Sequence, residues 1–396
     1  MRKRTRTTAA LAVTAVVTAA LGVPSAVAAH PARCVLEPSV PTTLPTLSAT
    51  KLSAAIGDVP GGLPDAEASG ALAQIRGTAG CWQGTAGIGD IRTGGDVPQN
   101  GKFRIGSMTK VFTAVVALQL VAEGRLDLDK TVQEYLPGFL PADYLPITVR
   151  QVLNYTSGLN GVGVPHKTPA WFFEHRYDHW ADGSQLDVTK PLAFAPGEYQ
   201  RYGNADYWMA GLLIQKVTGH AWEREVHDRI IEPLRLRGTS TPVDSSRIPG
   251  PYSHGYEVTK DGWVDVSSAN PSLQWSAAAI ISTPEDLDRF MVALFDGKLV
   301  PPAQLDLMFT VPPGTTTFDG DKDPANNPPA AYGMGLGSFQ IGSLTVWGKT
   351  GDRPGYANGM GATRDLSRRL VFSVNTLHMG GDQPVRARQI IGAAFS

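Results

Sequence analysis

With 396 residues, 42% of them hydrophobic, the chain can bury a large core, as one domain of unusual size or as one domain carrying an insertion. Its 35 Lys and Arg nearly balance its 36 Asp and Glu. No basic block follows the first six residues, which argues against nucleic acid as a ligand.

The N-terminus has the pattern of a signal peptide over residues 1–28: Arg2, Lys3, Arg4 and Arg6, an apolar run from Ala9 to Val23, then Ala26-Val27-Ala28. That run is short of the ~20 residues needed to span a bilayer, and no second stretch could cross one, so a secreted, extracellular protein free of the membrane after cleavage is expected. Residues 29–50, rich in Pro, Ser and Thr, read as a tether pinned by Cys34. Cys34 and Cys81 are candidates for a disulfide, which would close a loop of roughly 45 residues and stabilise by about 4 kcal/mol; two free buried thiols are the alternative.

The packed domain is expected over 51–396. Ala71 to Arg76 and Cys81 to Ala86 read as strands joined by a Gly-Thr-Ala-Gly turn, and Gly87 to Lys102 as a loop. Ser107 to Glu123 reads as a helix, apolar nearly all round and therefore central. Helical patterns continue at Val149 to Leu153, Ala205 to Val217, Ala221 to Ile231 and Pro284 to Phe295. After a Pro/Gly/Asp-rich loop from Val311 to Pro329 come four strand-like segments, Gly333 to Gln340, Leu344 to Lys349, Tyr356 to Thr363 and Arg369 to Leu377, then a helix from about Pro384. The fold class is α+β: an antiparallel sheet built from both ends of the chain, with terminal helices and an all-helical inserted region at about 107–300.

Three polar motifs stand in order along this framework. Ser107-Met108-Thr109-Lys110 opens the central helix. Serine is a poor nucleophile until a neighbour takes its proton, and positions i and i+3 of a helix share a face, which brings Lys110 over Ser107. The bland reading is a helix-capping serine and a solvated lysine; a chance copy, Ser48-Ala49-Thr50-Lys51, lies in the tether. Tyr202-Gly203-Asn204 follows a Pro-Gly turn, from which the phenol could ionise near cations and carry protons, while Asn204 could hold Lys110 and a substrate amide. A structural tyrosine is the alternative, and Tyr356-Ala357-Asn358 repeats the pattern in a late strand. Lys349-Thr350-Gly351 ends a strand, where a cation and a hydroxyl can hold a carboxylate and the glycine lets a substrate backbone lie along the edge. Gly342 and Gly348 enclose five residues where a phosphate loop needs four. Lys110 and Lys349, brought close in a dry cleft, would lower each other's pKa and leave a neutral lysine as base. The backbone N–H groups of Ser107 and Asp352 would form the oxyanion hole.

Taken together with Phe103-Arg104-Ile105-Gly106, Thr156-Ser157-Gly158-Leu159 and Pro196-Gly197-Glu198, these motifs resemble the serine β-lactamase and penicillin-binding protein superfamily, in the branch of class C β-lactamases, secreted D-alanyl-D-alanine carboxypeptidases and D-aminopeptidases. The resemblance implies catalytic roles for Ser107, Lys110 and Tyr202, substrate binding by Asn204, Lys349, Thr350 and Gly351, and no metal or other cofactor. It departs from class C enzymes at Arg104 and Thr109, which points away from a dedicated lactamase. The secreted carboxypeptidase that the chain most resembles has histidine where Lys349 stands, and its carboxylate-gripping arginine falls near Gly337, so Arg353 is a candidate substitute. The expected function is a monomeric carboxypeptidase or related D-peptidase acting on peptidoglycan stem peptides and binding β-lactams. The alternatives are a β-lactamase, an esterase whose Trp171 to Trp180 loop lines the cleft, and a non-enzymatic penicillin binder. His166, His175 and His179 lack the order of a hydrolytic zinc helix.

Overall fold

The structure, a computed structural model, describes residues 44–320, 323–380 and 384–396. After helix α1 (Ala49–Ile56) come strands β1 (Ala68–Arg76), β2 (Trp82–Asp90), β3 (Gly95–Asp96) and β4 (Phe103–Arg104). Helices α2 (Thr109–Ala122), α3 (Val132–Tyr135), α4 (Val149–Leu153), α5 (Pro169–His175), α6 (Ala205–Thr218) and α7 (Trp222–Val226) follow. A hairpin of β5 (Tyr256–Thr259) and β6 (Gly262–Asp265) precedes α8 (Trp275–Ala278), β7 (Ile281–Ser282), α9 (Pro284–Phe295) and α10 (Pro302–Met308). The chain closes with β8 (Gly337–Ile341), β9 (Leu344–Arg353), β10 (Tyr356–Thr363), β11 (Arg369–Thr376) and α11 (Val385–Phe395).

The main sheet has seven strands in the order β3-β2-β1-β11-β10-β9-β8, antiparallel at every step. β1 pairs with β11 from Ile75↔Leu370 to Gly70↔Asn375, so the two ends of the chain meet in the middle of the sheet, as the pattern of strands implied. One face is covered by α1 and α11, with Leu52, Ile56, Ile75, Phe372, Ile390 and Phe395 in a common apolar cluster. Against the other face lie α9 and the helical region, whose core centres on α2. Val111, Phe112, Val115, Val116 and Leu118 have no exposed surface, and Phe112 stacks on Phe290 of α9 with centroids 3.8 Å apart. An all-round apolar helix has no face to give to water, so its neighbours must enclose it.

Four expectations change. Ala49 and Thr50, expected in the tether, belong to α1, which begins at Ala49 with Ser48 as its cap: Ser48 Oγ accepts from the Lys51 N–H at 3.3 Å. The second Ser-x-x-Lys is thus a helix start. The inserted region is not all helix, since β5 and β6 form a hairpin inside it. The aromatic loop after Pro169 forms α5, started by its proline. Ser107 itself lies in a 3₁₀ turn, Gly106–Met108, just ahead of α2. Cys81 is disulfide-bonded, and Cys34 lies outside the described residues, as does the leader.

A buried ion pair links the sheet to α9. Arg369 of β11 donates through Nε to Asp288 Oδ1 at 2.7 Å and through Nη2 to Oδ2 at 3.3 Å. Both side chains are under 9% exposed. Removing the carboxylate leaves the Arg369 charge buried without its counter-ion, so Asp288→Ala is expected to lower unfolding free energy by roughly 3–5 kcal/mol. Denaturant unfolding checks this, and a loss below about 1 kcal/mol would mean the pair is solvated.

Candidate active site

The segment carrying Ser107 is fixed before the helix starts. β4 pairs with β7, the Ile105 N–H donates to Ile280 O at 3.0 Å, and Asn358 Nδ2 donates to Arg104 O at 2.8 Å. The second Tyr-x-Asn is therefore structural: its asparagine, fully buried in β10, ties the sheet to the Ser107 strand. The Arg104 guanidinium is also structural, donating to the carbonyls of Ser267, Ser246 and Ala269 at 2.9, 2.7 and 3.0 Å.

β9 crosses directly in front of this segment. Its ladder with β8 ends at Gly348, and Lys349 to Arg353 run on past it. A Cβ added to Gly351 would stand 1.9 Å from Ile105 O and 3.2 Å from Ser107 N. One on Gly106, which has φ +57°, would meet Asp352 N at 2.6 Å. Only glycine at both positions allows this approach, which sets the backbone nitrogens of Ser107 and Asp352 on either side of the same turn.

Lys110 has no exposed surface. Its Nζ lies 3.1 Å from Ser107 Oγ, 2.6 Å from Asn204 Oδ1 and 3.1 Å from Ala277 O. Asn204 is held at the N-terminus of α6. The Ala277 carbonyl is aimed by a strained turn: Trp275 holds φ +33°, with its ring edge-on to Trp222 and its Nε1 donating to Glu223 Oε1 at 3.1 Å. As an ammonium, Lys110 donates a hydrogen to each of the three oxygens. As a neutral amine it keeps two for Asn204 and Ala277, and its lone pair then faces the Ser107 hydroxyl, the arrangement of a general base.

Burial supplies the neutral form. It pushes the Lys110 amine well below the usual lysine range, with the Lys349 charge adding to the effect and the Asp206 carboxylate opposing it. Burial also brings Lys349 down to about 7. Desolvation therefore outweighs the mutual repulsion anticipated from the sequence.

Tyr202 corrects another expectation. Lys349 Nζ sits 4.3 Å from its ring centroid and Lys110 Nζ 5.2 Å, yet burial pushes the phenol up, against a smaller lowering by the Ser107 hydroxyl. Both cations face the ring, where they are attracted to its π electrons. The Tyr202 oxygen is buried without a hydrogen bond of good geometry, so beside Ser107 stands a neutral phenol.

The cleft these groups share has a volume of about 330 Å³, with Ser107, Tyr202 and Asn204 on one wall and Thr350, Asp352 and Arg353 on the other. A depression of about 420 Å³ near Tyr144, Phe194 and Phe318 is lined by none of Ser107, Lys110, Tyr202, Asn204 or Lys349 to Gly351. Sequence reading missed the Ala277 carbonyl, which no side-chain pattern reveals, and Tyr332, which stacks on Tyr202 at 4.9 Å. It missed Asp206 too, whose carboxylate accepts from Ser157 Oγ and is raised by burial to about 7. The histidines do not converge: Nδ1 of His175 pairs with Asp178, that of His179 with Asp244 and that of His166 with Val164 O.

Such a site, a serine hydroxyl beside a buried lysine and a neutral phenol and, among the described residues, hydrogen-bonded to no imidazole, defines a class of serine acyl-transfer proteins. The β-lactamase family model matches residues 52–395, and the chain belongs to that family. A D-stereospecific amidohydrolase from Streptomyces sp. shares the fold over 88% of this chain and 98% of its own, with 33% identity and a TM-score of 0.72. A β-lactamase of Yersinia enterocolitica is 27% identical over 54% of this chain and 52% of its own length. Penicillin-binding protein 4 of Amycolatopsis lactamdurans is 30% identical over 43% of this chain and 44% of its own. The chain thus spans about half the length of these two relatives.

If Lys110 is the base, Lys110→Met should slow acylation of Ser107 by about 10²–10⁴-fold with little change in substrate binding. Single-turnover kinetics with a p-nitrophenyl ester measure this directly. A loss confined to KM would assign Lys110 to binding instead.

Proposed function

We propose that this protein is an exported serine D-peptidase of the D-alanyl-D-alanine carboxypeptidase type, which forms a Ser107 acyl-enzyme on cell-wall peptides. The observation that carries this reading is the Lys110 amine, held between two fixed acceptors with its third direction toward Ser107 Oγ. The preference for D-residues rests on the Streptomyces relative, a D-stereospecific amidohydrolase by name.

The reaction follows from the positions of the groups. Lys110 takes the Ser107 proton as Oγ bonds to the substrate carbonyl carbon, and the N–H groups of Ser107 and Asp352 receive the negative oxygen. As the C–N bond breaks, the leaving nitrogen takes the Tyr202 proton, and the phenol is refilled from Lys110. Water then attacks the ester by the same route in reverse, releasing the acid and restoring Ser107. At the leaving-group end, Lys349 and Thr350 offer a cation and a hydroxyl to a terminal carboxylate. Export rests on the leader of residues 1–28.

A β-lactamase is the second reading, favoured by the Yersinia relative's name. Intact mass of protein recovered from culture fluid and incubated with benzylpenicillin separates the two. The expected result is a chain starting at Ala29 that carries one lasting adduct on Ser107. Rapid loss of the adduct with ring-opened product makes it a lactamase, and a chain retaining its leader removes the export claim.

Lys349 gives a pH signature. Its amine titrates at about 7 in the free protein, so the charge is present below that pH and lost above it. KM for a substrate ending in a free carboxylate should therefore rise as pH passes from 6 to 8, while KM for the C-terminal amide stays level. Parallel profiles for both would take Lys349 out of carboxylate binding.

A further inference from the structure

Arg353 is a buried cation without a hydrogen-bonding partner. Its residue is 7% exposed, and among the described residues no carbonyl or carboxylate accepts a hydrogen bond from it. The Asp352 carboxylate beside it is already paired with Lys167 Nζ at 2.6 Å. Burial pushes the Arg353 guanidinium down, with the charge of Arg104 adding to this and the Asp352 carboxylate opposing it. His166, which lines the same cleft, offers no anion either: its Nδ1 is engaged by Val164 O at 3.1 Å, and burial and the Arg353 charge hold its pKa below the usual value. A guanidinium that opens onto a cleft, with its neighbouring carboxylate shared with Lys167, keeps hydrogen-bond donors open to a further anion.

Its position identifies which part of a substrate would supply one. Alternation along β9 puts Lys349, Gly351 and Arg353 on one face, and all three are buried. Gly351, in the middle, packs against the Ser107 turn. Lys349 and Arg353 therefore flank Ser107 from opposite sides, about 13 Å apart along the strand. The Lys349 side holds Tyr202, the proton carrier for the leaving group. Arg353 consequently faces the part that stays on the serine, and not the terminal carboxylate for which the sequence made it a candidate.

We infer that Arg353 anchors an anion subsite for the acyl end of the substrate, so that this protein acts on donors with a carboxylate on the retained portion and disfavours donors with a free ammonium there. The inference rests on the reading of Ser107 as acyl acceptor.

Three penicillins that differ only at the α-carbon of the acyl side chain test it: benzylpenicillin with hydrogen, carbenicillin with carboxylate and ampicillin with ammonium. All keep the same leaving-side carboxylate. Second-order rate constants for ring opening by the wild-type protein should run carbenicillin, benzylpenicillin, ampicillin, the first about tenfold above the second, the yield of one charge-assisted hydrogen-bonded pair. Arg353→Gln should bring the three within about twofold, and Arg353→Lys should keep part of the preference, with thermal melting showing that both variants fold. Calorimetry of N-succinyl-D-alaninamide against N-acetyl-D-alaninamide gives a readout that needs no bond breaking, and the succinyl compound should bind about tenfold tighter. Equal rates and equal or absent binding in the wild type, or a preference that survives Arg353→Gln, overturn the subsite. If no β-lactam or ester acylates Ser107, the peptidase reading fails by itself, and the calorimetric comparison still decides the subsite.

Discussion

The Lys110 amine is kept out of water, and most of the architecture around it can be traced to that constraint. An ammonium in an apolar interior costs several kcal/mol unless its hydrogens are satisfied. Two acceptors of fixed direction, Asn204 Oδ1 and Ala277 O, satisfy a neutral amine and leave the third direction for Ser107. The helix that carries Lys110 is enclosed on all sides, so the amine cannot swing out to solvent. A surface lysine at the same spacing would stay protonated and would take no proton from serine.

The site joins two halves of different character. Ser107, Lys110, Tyr202 and Asn204 come from the helical side, and Lys349 to Arg353 from one strand of the sheet. Contact between them depends on two missing side chains, at Gly106 and Gly351, and on anchors beyond the site such as Asn358 and Arg104. These anchors fix the spacing at which the backbone N–H groups of Ser107 and Asp352 can act together. Preorganised donors of this kind need no rearrangement as charge develops on a substrate oxygen.

Much of this was legible in the residues. Long helices with strong apolar patterns were readable nearly to their ends, as at Pro284 to Phe295, and so were β10 and β11, whereas β8 starts four residues later than expected and β9 runs four residues further, to Arg353. The three motifs named the polar groups that line the cleft. Short elements escaped: α1 hides in a Pro- and Thr-rich stretch, and β5 and β6 lie inside the region expected to be all helix. Quantities that depend on three-dimensional surroundings escaped as well. Sequence places two cations near Tyr202 but cannot say that they lie over its ring, and so it gave the wrong sign for the phenol. Nor can it show that a carbonyl at residue 277 reaches Lys110, since every residue has a carbonyl.

The pairing of β1 with β11 has a consequence for the order of events during synthesis. A ribosome delivers Ser107 and Lys110 more than two hundred residues before Lys349, and the partner that completes the middle of the sheet comes some twenty residues later still. Until then β1 has only β2 beside it, and the Ser107 turn has no strand in front. The nascent polypeptide is therefore chemically silent for nearly its whole elongation, and hydrolytic competence arrives only once its tail has been made.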